Sequence, residues 1–282
     1  MSDIETLELQ PSEYNDRMGY DSNFIKHEIP LPKIPKHNLD DCVKLIEGEG
    51  YELKYTHFSI VMSKSRYLAI YTAVNIDGNK LTKIDRSSNK WYFDPRIKKT
   101  YQAGPEIYRN NDLDRGHLVR RLDPVWGDEA EQANEDTFHF TNCSPQHNKF
   151  NTDPWVSLEN YILNNTDKFD LKVNVFTGPV FRIDDMLYRN IQIPAEFWKV
   201  VVMVKDDNNL SATAYLQTQK NLIRDIEFAF GKYQTYQVPI SHIEKLAELD
   251  FGILSKHDPL VDVESNLGTT GKLIQQSSDI LL

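Results

Sequence analysis

Between positions 114 and 121 the chain reads Asp-Arg-Gly-His-Leu-Val-Arg-Arg, so His117 stands two residues after Arg115 and shortly before Arg120 and Arg121. An imidazole titrates near neutral pH and can act as a general base. A guanidinium presents a planar fork suited to gripping an oxyanion through two bonds. Further along stand Asn142, Gln146, Asn151 and Glu159. Amide and carboxylate oxygens suit a hard divalent cation, which keeps much of its water and needs few protein ligands. Asn151 and Glu159 are eight positions apart, a little over two helical turns, so both can face one side of a helix. Taken singly these residues have plainer readings. His117 could be a structural histidine bonded to Asp114, Asn151 a helix cap, and Glu159 an ordinary exposed helix residue.

A scaffold must hold these groups, and the pattern of branched and aromatic residues predicts mostly strands. "YTHFSIVMSK" from Tyr55 and "YLAIYTAVNIDG" from Tyr67 read as a pair of strands. "DTFHFTN", "LKVNVFTGPVF", "EFWKVVVMVK" and "LSATAYLQT" supply four more, with a hairpin turn at Asn208 and Asn209. Helices are fewer. "DPWVSLENYILNN" places Trp155, Leu158 and Ile162 at helical spacing behind Pro154. "SHIEKLAEL" opens with Ser241 and Glu244 in capping-box spacing. The expected architecture is α+β, built on a mostly antiparallel sheet flanked by helices.

Residues 1–37 form an acidic, proline-containing lead-in, 38–255 the main domain, and 256–282 a polar tail. Net charge is −10, which argues against attraction to nucleic acid over the whole surface. Its distribution is uneven. From Lys80 to Arg121 there are eleven Lys/Arg against five Asp/Glu, a local excess of +6, so the remainder carries −16. Two cysteines, Cys42 and Cys143, cannot form a disulfide framework or a thiolate metal site. No apolar run approaches a membrane span, and the N-terminus lacks the basic start and apolar stretch of a secretory signal. The expectation is a cytoplasmic protein with no membrane partner.

Three segments belong together: Asp114-Arg-Gly-His117, "FTNCSPQHNKFN" from Phe140, and "PWVSLENY" from Pro154. In this order and spacing the chain resembles the DNA/RNA non-specific endonucleases, the endonuclease G-like branch of the ββα-metal nucleases. The matching positions are Asn142, Pro145, Gln146, Asn151, Trp155, Leu158 and Glu159, and the likeness spans roughly residues 19–255.

The resemblance implies a ββα-metal core and Mg²⁺-dependent, sugar-non-specific cleavage of DNA and RNA. It makes His117 the base that activates water, Asn151 the direct ligand of Mg²⁺, Mn²⁺ or a similar hard cation, and Glu159 a holder of metal-bound water. Arg115 would sit by the scissile phosphate, and Asn142 and Gln146 would organise the site. Arg120 and Arg121 depart from the small or apolar residues usual after the histidine and read as backbone contacts. An upstream phosphate-binding role falls to either Arg86 or Lys90, before Trp91.

Two alternatives stay open at this point: a catalytically silent nucleic-acid-binding or regulatory protein on the same fold, and a nuclease restricted to one nucleic acid. A non-specific nuclease inside its maker also needs restraint, which points to an inhibitor or activating partner, or to an effector of a defence or cell-killing system. Residues 1–22, with six Asp/Glu and one Arg, could themselves cover the basic face. The resemblance also allows a homodimer.

Overall fold

Branched and aromatic residues dominate four nine-residue stretches, and each forms a strand: Ala69–Asp77, Lys172–Val180, Glu196–Val204 and Leu210–Thr218. The computed structural model describes residues 6–85, 90–152, 171–205, 207–219, 234–261, 271–274 and 279–281. In chain order its strands begin with β1 (Thr6–Glu8), β2 (Glu52–Tyr55), β3 (Phe58–Met62), β4 (Ala69–Asp77) and β5 (Trp91–Phe93). There follow β6 (Leu113–His117), β7 (Cys143–His147), β8 (Lys172–Val180), β9 (Met186–Tyr188) and β10 (Ile191–Ile193). The last are β11 (Glu196–Val204), β12 (Leu210–Thr218), β13 (Gln234–Val238) and β14 (Lys272–Ile274). Among the described residues the α-helices are α1 (Ala130–Asp136), α2 (Asn148–Thr152) and α3 (Ile240–Ala247).

Among the described residues the main sheet has eight strands in the order β14-β13-β12-β11-β8-β4-β3-β2, and every pair is antiparallel. Both faces are covered, so its central strands are apolar without alternation. On β11, Phe197 and Val201 join one core with Val173 and Val175, whereas Trp198, Val200 and Val202 join the other. The first face receives Leu118, Val119 and Phe150 from the segments that carry the candidate site. The second receives Ile240 and Ile243 of α3 together with Tyr20, Ile25 and Ile29 of the lead-in.

The lead-in is therefore part of the core. Tyr14 is buried on the first face and its hydroxyl bonds His139 Nε2 at 2.6 Å, while Arg17 pairs with buried Asp136 at 3.2 Å. The polar tail also contributes. Asp258 accepts from the Ile240 N–H at 2.7 Å, and β14 pairs with β13.

Two local expectations are corrected. Residues 136–142 do not form a strand: α1 ends there and a 3₁₀ turn, Phe140–Asn142, follows. Local bonds replace ladder bonds, since His139 Nδ1 lies 2.9 Å from the Asp136 carbonyl and the Asn142 N–H reaches the His139 carbonyl at 2.9 Å. Helix α3 is not capped by Ser241, which lies inside it. Pro239 is the flanking residue, and Glu244 faces forward to the Phe251 N–H at 3.0 Å. The predicted hairpin at Asn208 forms, with that residue at φ +64°. The helix expected around Trp155 lies outside the described residues. No described helix is long and apolar enough to cross a membrane.

Candidate active site

Strand β6 and strand β7 pair into an antiparallel ribbon, with Arg115 opposite Pro145, Gly116 opposite Ser144 and His117 opposite Cys143. Helix α2 follows β7 without a break and Phe150 locks it down, fully buried against Phe197 with ring centroids 5.6 Å apart. Burying a phenylalanine of this kind stabilises by about 1.5–3 kcal/mol. The result is a strand–strand–helix unit seated on one face of the large sheet.

Residues two apart on a strand share a face, and here Arg115 and His117 both turn to Trp91. The His117 ring lies 5.2 Å from the Trp91 ring, and the Arg115 guanidinium carbon lies 4.9 Å from it. Phe138 packs edge-on to His117 at 5.4 Å, and Tyr108 stands 6.0 Å from the Arg115 guanidinium. Trp91 is buried and His117 and Arg115 are half-buried, so an aromatic wall backs both polar groups, with His117 Nε2 and Arg115 Nε themselves buried.

Polar atoms without partners collect at this ribbon. Among the described residues, Trp91 Nε1, Arg115 Nε, Ser144 Oγ and both carboxamide atoms of Gln146 are buried and make no hydrogen bond. Buried polar groups are nearly always paired; by the strand register the Ser144 and Gln146 atoms lie on the ribbon face opposite Arg115 and His117, beside Gly116. Gly116 is required here by space. A Cβ on it would overlap the Gln146 carboxamide and approach Gln146 Cγ to 2.6 Å.

Asn142 lies just behind, fully buried, with its amide satisfied by backbone. Its Oδ1 accepts from the Val119 N–H at 2.9 Å, and its Nδ2 donates to the carbonyls of Val119 and Thr137, each at 3.0 Å. Its own carbonyl accepts from the Leu118 N–H at 2.9 Å, so the ladder continues past His117. Arg121 turns partly inward, its Nη1 donating to the Ile84 carbonyl at 2.8 Å and to Asn134 Oδ1 at 3.0 Å. Arg120 is half-buried, with Asp123 bonding back to its carbonyl. Burial pushes the Asp123 carboxyl up, and Lys199 and Arg120 pull it back. Lys90 is exposed and immediately precedes Trp91.

Asn151 belongs to α2, but its side chain lies outside the described residues, as do Arg86 and Glu159. Among the described residues no three His, Cys, Asp or Glu side chains gather as a metal cluster. His139 is enclosed by Tyr14, Tyr55 and Tyr92. Cys143 is buried against Tyr108, and burial pushes its thiol up to about 12.

Sequence reasoning passed over Gln219. It is fully buried at the end of β12; its Oε1 accepts from the His147 N–H at 2.8 Å and its Nε2 donates to the carbonyls of Pro145 and Pro194, at 3.2 and 2.7 Å. Bonding the carbonyl of one residue and the N–H two residues on is what a neighbouring strand would do. One side-chain amide thus caps the free edge of β7. Nothing in its sequence setting marks it, since Gln217 and Thr218 before it are polar as well.

The ribbon, helix and antiparallel sheet define a strand–strand–helix site of the nuclease type. A family model for DNA/RNA non-specific endonucleases matches residues 43–255. The chain belongs to this family, a class of nucleic-acid hydrolases. It is 40% identical to the Sinorhizobium fredii protein y4fB, with 98% of this chain aligned to 44% of that one. It is 26% identical to nuclease C1 of Cunninghamella echinulata, over 73% of this chain and 81% of the other, and 27% identical to mitochondrial endonuclease G of Bos taurus, over 62% and 58%. The chain thus spans under half the S. fredii protein's length. A solved EndoG/EndoGI complex shares the fold, with TM-score 0.56 and 22% identity over 72% of this chain and 85% of the other.

Proposed function

We propose that this chain is a Mg²⁺-dependent endonuclease that hydrolyses phosphodiester bonds of both DNA and RNA with little sequence preference. The carrying observation is that an imidazole and a guanidinium, two residues apart on β6, share one aromatic wall at 5.2 and 4.9 Å. His117 takes the proton from the attacking water, a role worth on the order of 10²–10⁴-fold. Arg115 grips non-bridging phosphate oxygens through its fork, its guanidinium carbon resting 4.9 Å from the Trp91 ring. Asn142 positions His117 through the backbone and touches no reacting atom. Lys90 and Arg120, with Arg86 from the same basic segment, add contacts to the nucleic-acid backbone, whereas Arg121 mainly ties the Ile84 segment to α1.

The oxygen donors carried in and after α2 suit a hydrated hard cation, with Asn151 as direct ligand and Glu159 acting through water. When bound, Mg²⁺ supplies Lewis-acid stabilisation of phosphate charge. Recognition through backbone charge makes binding nearly sequence-blind and steeply salt-dependent. An inhibitor or activating partner fits this activity, and the EndoG neighbour was solved with EndoGI.

The test is degradation of supercoiled plasmid and of RNA with Mg²⁺, with EDTA, and by His117→Ala protein. Metal-dependent cleavage of both that vanishes in the variant is expected. Cleavage retained by folded His117→Ala would remove the assignment, and cleavage of one substrate alone would restrict it.

A further inference from the structure

We infer that β1 is an acidic strap, seated beside the candidate nuclease site, that weakens nucleic-acid binding until it is displaced. The strap lies parallel to β5, with Thr6 opposite Trp91, Leu7 opposite Tyr92 and Glu8 opposite Phe93. Trp91 is the residue whose ring backs His117 and Arg115, so the strap's backbone runs one strand away from the proposed chemistry. On its other edge β5 is held by the Phe138 carbonyl, which accepts from the Tyr92 N–H at 2.9 Å. Among the described residues, β1 alone pairs with the remaining edge of β5.

That edge suits nucleic acid. It is flanked by exposed Lys90 on one side and by Lys98 and Lys99 on the other. Free strand N–H groups beside lysines are good phosphate partners. At present Lys99 Nζ meets Glu8 Oε1 at 2.9 Å. Residues 1–8 carry Asp3, Glu5 and Glu8 and no Lys or Arg. The strap therefore covers the edge and repels phosphate from it.

Its hold is light. Thr6 and Glu8 are exposed, Leu7 is half-buried, and the pairing is three residues long. A pairing so short opens at low cost. The anchor follows at once: Leu9 packs on the first core, then come buried Tyr14 and the Arg17–Asp136 pair. The covering role thus belongs to β1, whereas residues 9–20 are built into the fold.

This inference rests on the nuclease reading, so its test reads binding as well as cleavage. Two variants are compared with the full chain: a deletion of residues 1–8, and Asp3→Asn/Glu5→Gln/Glu8→Gln at full length. Km and kcat are measured on plasmid DNA with Mg²⁺ at low salt. Kd for a short DNA duplex is measured in EDTA in the His117→Ala background. Both variants should lower Km and Kd on the order of tenfold with kcat unchanged, and the gap should close as salt rises. A peptide of residues 1–10 should inhibit the truncated enzyme and leave the full chain unaffected. Equal Km and Kd in the charge-neutral variant and the full chain, both folded, would overturn the strap. Absence of cleavage by every form, with the Kd difference intact, would instead sink the nuclease reading and leave the strap standing.

Discussion

Gly116 and Gln146 lie on adjacent strands of the ribbon so close together that no side chain fits between them: a Cβ at 116 would come within 2.6 Å of Gln146 Cγ and overlap its carboxamide. The glycine ahead of the candidate base is there because the neighbouring strand fills its space. Gly116→Ala should therefore push Gln146 or the whole ribbon aside and lower cleavage by on the order of 100-fold. Adding Gln146→Ala should recover much of the lost Tm, because the two residues clash directly. Additive losses in the double variant would show that the pair is not in steric conflict.

Asn142 acts on stability first. Asn142→Ala leaves the Val119 N–H and the carbonyls of Val119 and Thr137 without that partner. Each buried group so orphaned costs about 1–3 kcal/mol. Urea unfolding should show a loss of several kcal/mol together with lower activity, whereas His117→Ala should lose activity at nearly unchanged stability. An Asn142→Ala protein as stable as wild type would refute this role of the Asn142 amide.

Gln219 ties the free edge of β7 to the end of β12. Gln219→Ala should lower kcat roughly 10- to 100-fold through small displacement of the ribbon, with Km changing less. Gln219→Glu should not rescue, since a carboxylate cannot donate to the carbonyls of Pro145 and Pro194. Steady-state kinetics on both variants decides this, and a fully active Gln219→Glu would contradict it.

His139 makes stability pH-dependent. The Asp136 carbonyl can only accept, so His139 Nδ1 donates to it and Nε2 accepts from the Tyr14 hydroxyl, which requires a neutral ring. Burial holds its pKa below the usual histidine range, against the pull of Asp94 and Asp136. The unfolded chain, with a histidine pKa of about 6.5, therefore binds the proton first. Stability is full above that pH and is lost as pH falls toward the folded value. Burial shifts His57 and His147 in the same direction. The urea midpoint should fall between pH 7 and pH 5, and His139→Gln should flatten that slope. Identical slopes would clear His139 of the effect.

The sequence alone determined the family, the antiparallel sheet and the residue types of the site. Those follow from local chemistry: strand periodicity, the short reach from Arg115 to His117, and an ordered set of motifs. It could not disclose that residues 136–142 turn rather than extend: local bonds make the turn, and the Tyr14 hydroxyl that completes His139's partners comes from 125 residues away. Nor could it separate the removable from the fixed part of the acidic lead-in, since Tyr14 and Glu8 look equally local in the chain. Only the tertiary structure brought Trp91 against His117, Gln219 onto the edge of β7 and β1 along β5. Packing and long-range hydrogen bonding decide such contacts, and both depend on residues far apart in the chain.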